Sequence, residues 1–280
     1  MSRRMSRKMD RRMRGGPGRH VVRDAAAAAL AGLKYWLLAV VLTSLMFYAA
    51  IFGSQDVMEA WNAADAQGRL KIVMPIACIG MLAMTLLLYG RMRVKKRLAP
   101  GAFSVKGLAA YGPVLAAVGV GGLLGAAAAI VQAGSLQPLA QLAQFWQVVS
   151  AAIGALFSVL MNEGRMIACL KERGYAQEEI IRMLAGIMLF VIVANLLRTL
   201  ANGGSLDVVD SGIKGLYALL TVVLCGRAAL RSGRLTEAFV LRLVLHLMNG
   251  LGTLSAAMAV QAAALAAAIL LLERTAAKTA

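Results

Sequence analysis

Residues 35–53 read YWLLAVVLTSLMFYAAIFG, nineteen consecutive positions without a charged side chain. A helix needs about 20 apolar residues to cross the roughly 30 Å hydrocarbon core of a bilayer. Lys34 lies just before this run and can extend its ammonium group to the interface, and aromatic residues near both ends are typical of interfacial positions. The stretch therefore predicts a transmembrane helix.

The composition of the whole chain agrees with this prediction. Hydrophobic residues make up 60% of the 280 positions and charged residues only 15%, with a mean hydropathy of +0.72. Ordinary water-soluble domains contain roughly 45 to 50% apolar residues. The composition predicts an all-α, polytopic membrane protein.

Six further apolar runs follow the first one, at residues 72–90, 108–131, 145–162, 183–197, 215–226 and 253–272. The fifth and sixth spans are short, with fifteen residues between Arg182 and Arg198 and twelve between Lys214 and Arg227. A run of twelve has the length at which a re-entrant or buried segment competes with a full span. We expect about seven transmembrane helices in a membrane domain, residues 25–280, that follows a basic tail, residues 1–24.

Residues 234–249 form an amphipathic segment between the sixth and seventh spans. Arg242, His246 and Asn249 recur at i, i+4 and i+7, on one face of a helix, and apolar residues occupy the other face. Such a helix suits the membrane surface or the groove of a partner. The break NGLGT at residues 249–253 separates it from the last span.

The distribution of charge predicts the orientation. The chain has 30 Lys and Arg against 13 Asp and Glu, a net charge of +17. With the tail in the cytoplasm, 23 basic residues fall on that side and six on the other, as the enrichment of Lys and Arg in cytoplasmic loops requires. We expect a bacterial cytoplasmic membrane protein with its N-terminus inside and its C-terminus outside.

The opening sequence MSRRMSRKMDRRMR is the most basic part of the chain. Arg and Lys before a first span resist translocation and attract anionic headgroups, at about 1 kcal/mol each near the surface. A disordered tail, a lipid-bound helix and a nucleic-acid-binding arm are the alternatives. We expect anionic lipid as the partner of these Arg and Lys side chains, and we do not expect nucleic acid.

The residues that carry common chemistries are scarce. Two histidines and three separated cysteines offer no metal-ligand spacing, and no nucleophile elbow, P-loop or dinucleotide fingerprint is present. Glu178-Glu179 lies one residue too close to Arg182 to match the membrane proteases that process CAAX motifs, and the second membrane histidine that those enzymes need is missing. We expect no enzyme activity, catalytic residue, metal or cofactor.

Polar residues at membrane depth are costly and therefore indicate sites. On the fifth span Asn195 and Arg198 share a face, and Arg198 has two acidic residues of the following loop, Asp207 and Asp210, as expected partners.

At the end of the fourth span Glu163 is expected to contact Arg165 or Arg182. The loop that follows, residues 162–179, has the pattern of a short amphipathic helix that docks a cytosolic partner. Gly121 and Gly125 have the G-x-x-x-G spacing that lets helices pack closely.

Two classes of function are consistent with these features. The first is a non-enzymatic, multi-span subunit of a transport assembly, of the kind found in secretion or conjugation, with protein partners in the membrane. The second is an autonomous secondary transporter of a small solute, whose site would lie in the short fifth and sixth spans. The absence of an acidic residue in the middle of a span counts against the second.

Overall fold

A computed structural model describes residues 17–95, 97–98, 101–134, 145–202, 207–249 and 255–277, and all regular secondary structure in these ranges is helical. A 3₁₀ turn, Leu108–Tyr111, precedes α4. The helices are α1 Pro17–Gly53, α2 Gln55–Ala63, α3 Ala66–Val94, α4 Gly112–Ala133, α5 Phe145–Lys171, α6 Gln177–Ala201, α7 Val208–Ser232, α8 Thr236–Asn249 and α9 Ser255–Ala277.

Seven of these helices are long and apolar enough to cross a membrane, which is the architecture of a multi-pass membrane protein. The two spans that looked short in the sequence are full-length helices: α6 and α7 each contain 25 residues, about 37 Å at 1.5 Å per residue. They are longer than their apolar runs because the helices continue through charged residues, Arg182 in α6 and Arg227 in α7.

The first helix begins earlier than the sequence indicated. α1 starts at Pro17, so it overlaps the basic tail predicted over residues 1–24. The lipid-bound leader predicted for residues 1–14 lies outside the described residues.

One end of the bundle collects the loops that are rich in Lys and Arg. Arg97, after α3, pairs with Glu172, after α5. Asp24 near the start of α1 pairs with Arg173, and the N–H of Leu235, after α7, donates to the carbonyl of Ala102 at 2.7 Å. We call this end, with the start of α1 and the loops after α3, α5 and α7, the basic end.

The amphipathic segment does not lie on the surface. α8 is packed into the bundle, and Arg242 is only 6% exposed. The helix starts at the basic end, and its Met248 lies against Gly122 in the middle of α4. Of the two expected settings, the membrane surface and the groove of a partner, the structure shows neither: the polar face of α8 packs against another helix of the same chain, where Arg242 binds Glu163.

The last helix runs back to the basic end. The N–H of Ala256 donates to Gln132 at the far end of α4, whereas Glu273 pairs with Arg227 near the end of α7. α9 is therefore antiparallel to α4 and ends where α1 begins. The described start of α1 and the described end of α9 thus lie at the same end of the bundle, whereas the sequence predicted the two chain termini on opposite sides.

Candidate functional site

An ion pair buried between α5 and α8 forms the centre of the site. The Glu163 carboxylate accepts two hydrogen bonds from the Arg242 guanidinium, one from Nε at 3.0 Å and one from Nη2 at 2.6 Å. The side chains are 0% and 7% exposed. Counted along the helices, the pair lies about 9 to 12 Å from the basic end. The expected partners of Glu163, Arg165 and Arg182, are not the ones that it binds.

Glu163 lies in a π-helical turn of α5, Leu160–Met166. The N–H of Ile167 donates to the carbonyl of Asn162, five residues earlier. Such turns insert one residue into an α-helix and are frequent at functional sites. A Cβ atom at the neighbouring Gly164 would lie 2.8 Å from Met92 Cε, so α3 packs directly against this turn.

A cavity of about 140 Å³ adjoins the pair on the side of the basic end. Glu163 lines it, together with two cationic residues, Arg97 and Lys171. The rest of the lining is mostly small or apolar and includes Ala102 and Leu235. The cavity is partly open, and it lies next to the buried ion pair.

Two other polar residues of α7 and α8 lie near the pair. The Tyr217 hydroxyl donates to the carbonyl of Leu245 at 3.4 Å inside the bundle. His246 is one turn beyond Arg242 and is half-buried, with its ring beside Gly154 of α5. The predicted polar face of α8 thus points at α5 and not at solvent. Asn249 ends α8, and its side chain lies outside the described part of the chain.

The predicted polar site on α6 is not assembled. Asn195 and Arg198 are both exposed. The acidic residues expected to meet Arg198 are engaged elsewhere: Asp210 pairs with Lys214 at 2.6 Å, and Asp207 caps α7 by accepting the N–H of Asp210. The structure therefore offers no reason to keep α6 as the site.

The partner-docking helix predicted in residues 162–179 is also different in the structure. Its apolar residues Met166, Ile167 and Leu170 are 6% or less exposed, so they belong to the core. The loop is tied to α1, because Arg173 Nη1 and the Tyr175 hydroxyl bind the two oxygens of Asp24 at 2.5 and 2.7 Å. Burial and the hydrogen bond to this carboxylate raise the pKa of Tyr175 to about 12.

The two glycines of the G-x-x-x-G pattern lie against α9. A Cβ atom at Gly121 would overlap Ala264, and one at Gly125 would lie 2.9 Å from Gln261 Cγ. Gln261 is 4% exposed and its Oε1 has no hydrogen-bond partner within the described residues. Both glycines thus permit close packing of α4 and α9.

Three residues of the site region were missed by the sequence analysis. Arg97, Lys171 and Glu237 were not singled out in the sequence. Glu237 is in fact 1% exposed, and its Oε2 has no hydrogen-bond partner among the described residues. The sequence carried no signal for them beyond their charge, because their positions at the cavity or inside the bundle depend on neighbours far along the chain.

Within the described ranges no three His, Cys, Asp or Glu residues are grouped so as to hold a metal ion. Comparisons of the chain with known protein families, with curated proteins and with solved structures gave no match.

Proposed function

We propose that the protein is a transporter of a small solute in the bacterial cytoplasmic membrane, with the Glu163–Arg242 pair as the control point of its path. The observation that carries this proposal is the buried ion pair at a π-helical turn beside a cavity. From the sequence, the fourth span was expected to end at residue 162, with no acidic residue in the middle of a span. In the structure α5 continues past this position, so Glu163 is an acidic residue within a span.

The energetics of buried ions support a role beyond packing. Removing two charges from water is costly, and a buried pair is often no more stabilising than two apolar side chains of similar volume. Charged residues inside membrane proteins mostly line pathways or relays. Stability alone therefore does not require this pair, which supports a functional role for it.

The chemistry of the pair suits a switch. Glu163 holds Arg242 with both carboxylate oxygens, so a proton on Glu163 or an anion at Arg242 would compete directly with the bond between them. The cavity supplies access from the basic end. We propose that loading of the cavity weakens the pair and lets α5 and α8 move apart.

The orientation remains an electrostatic proposal. Because Lys and Arg are retained on the cytoplasmic side, we place the basic end in the cytoplasm. The course of α9 strengthens this proposal, since it brings Arg274 to the same end as the other cations. Anionic lipid around the N-terminal Arg and Lys residues remains part of the proposal.

A second candidate is the non-enzymatic subunit of a transport or secretion assembly. Its support is the unusually exposed apolar surface of α1 and α6, where Phe52 and Phe190 are 76% and 74% exposed. Lipid or partner helices can cover such faces. The burial of the expected docking helix in residues 162–179 counts against this candidate.

Purification in a mild detergent followed by reconstitution separates the two. A single polypeptide that takes up phosphate, sulfate or acetate into liposomes would support the transporter, and stoichiometric membrane partners without uptake by the protein alone would support the assembly. The key variant is Glu163→Leu with Arg242→Met. If this double variant folds and transports at the wild-type rate, the pair is structural and the proposed mechanism is wrong.

A further inference from the structure

We infer that the cavity at the basic end is a binding site for a small oxyanion, such as phosphate or a short carboxylate. The inference deepens the proposed function by naming the class of solute. It rests on the proposed function only in the statement that the bound anion is the transported solute. Binding of the anion itself is measured without transport.

The first argument is the balance of charge around the cavity. Arg97, Lys171 and Glu163 are the charged residues that line it. The charge of Glu163 is already compensated, because Arg242 engages both of its carboxylate oxygens. Arg97 is in turn paired with Glu172, so Lys171 is the lining charge that has no ion-pair partner among the described residues.

The second argument is the donor that Arg97 leaves unused. Its Nε and Nη2 bind the two oxygens of Glu172 at 2.8 and 2.9 Å. Its Nη1 is buried and has no hydrogen-bond partner in the part of the chain that the structure describes. A buried donor without a partner costs free energy, and an oxyanion in the cavity would supply the missing acceptor.

The third argument is Lys171, which makes no ion pair with any described residue. It closes α5, and both it and Arg97 line the same cavity. Guanidinium and ammonium groups together are a common anion-binding combination, because the guanidinium presents a planar fork and the ammonium a compact charge.

The size of the cavity limits the ligand. A volume of about 140 Å³ holds roughly four to five waters, at about 30 Å³ for each. This excludes nucleotides and favours an inorganic oxyanion, a short carboxylate or the phosphate of a lipid headgroup. Free phosphate and the phosphate of a lipid headgroup share the same chemistry, so the experiment must separate a free anion from a lipid.

The test is calorimetric titration of the purified full-length protein in a neutral detergent, with inorganic phosphate, sulfate and acetate as the probes. We expect saturable binding of at least one of them. Lys171→Gln should weaken it about 10- to 100-fold, because one charge-assisted hydrogen bond is lost. Glu172→Gln should strengthen it, because it frees the whole guanidinium of Arg97. Glu172 is half-exposed, so this variant does not endanger folding.

Arg93→Gln is the matched control, since it removes the same charge from an exposed position of α3 outside the cavity lining. No saturable binding by the wild type, or equal weakening by Lys171→Gln and Arg93→Gln, would overturn the inference. If binding is present and liposome uptake absent, the site stands and the transport proposal fails. If liposome uptake is present and saturable anion binding is absent, the transport proposal stands and the proposed anion site is wrong.

Nanodiscs identify the source of the anion. If a lipid headgroup is the natural occupant, the apparent affinity for free phosphate will fall when phosphatidylglycerol is added to phosphatidylcholine discs, and Lys171→Gln will abolish that difference. If a free anion is the occupant, both lipid compositions will give the same affinity. Either result supports the oxyanion site and assigns its ligand.

Discussion

Breaking one side of the Glu163–Arg242 pair should destabilise the protein far more than replacing both. Arg242→Met leaves a carboxylate whose side chain is 0% exposed without its two donors, and Glu163→Leu leaves a guanidinium that is 7% exposed without its acceptors. Removing one partner of a buried pair typically costs about 3 to 5 kcal/mol. The double variant contains two apolar side chains, so its free energy of unfolding should fall by about 1 kcal/mol or less.

The assay is reversible unfolding in mixed detergent, followed by the fluorescence of the three tryptophans. The expected coupling energy between the two positions is at least about 5 kcal/mol. Asp210→Asn is the matched control, because it breaks a partly exposed i, i+4 pair with Lys214 that should contribute only about 0.3 to 0.5 kcal/mol. Additive losses in the double variant, or single losses as small as the control, would refute the argument that the pair is coupled in a dry environment.

Three further measurements test the fold and the basic end. A reporter fused to the C-terminus should report the same side of the membrane as one fused to the N-terminus; opposite sides would disprove the course of α9. Gly121→Leu should destabilise the protein by about 1 to 3 kcal/mol through overlap with α9, whereas Gly119→Ala, at a position with open space, should not; equal losses would argue against close packing of α4 and α9. Tyr175 should ionise near pH 12, seen as the absorbance difference between wild type and Tyr175→Phe, and Asp24→Asn should lower that pKa. Because the folded protein keeps this proton when the unfolded chain has lost it, the contribution of Tyr175 to stability should be complete below about pH 10 and disappear as the pH rises to 12; a phenol that ionises near 10 in the wild type would contradict the contact with Asp24.

For the amphipathic segment, the sequence predicted a polar face but not the partner of that face. The spacing of Arg242 and His246 correctly indicated a polar face on a helix. Hydropathy and spacing do not identify what contacts that face. Water, lipid headgroups and another helix are all compatible with the same polar pattern. The answer is Glu163, which lies 79 residues earlier in the chain.

For the short fifth and sixth spans, the sequence predicted the helices but not where they end. Apolar runs of fifteen and twelve residues correctly marked α6 and α7, but their ends were placed at the first charged residue. In the structure each helix has 25 residues, because a helix stops where backbone hydrogen bonding stops and not where the side chains become polar. Conversely, α8 has only 14 residues and was not counted as a crossing.

The sequence by itself determined that the chain forms apolar helices of membrane-spanning length and that its cations collect at one end. Both properties depend on residues that are close together in the sequence, so they can be predicted without knowledge of the tertiary structure. Only the tertiary structure decided that α8 enters the bundle, that α9 returns to the basic end, and that Glu163 meets Arg242 beside a cationic cavity. These features depend on contacts between distant segments, where the burial of one charge is tolerable only because another helix supplies its partner.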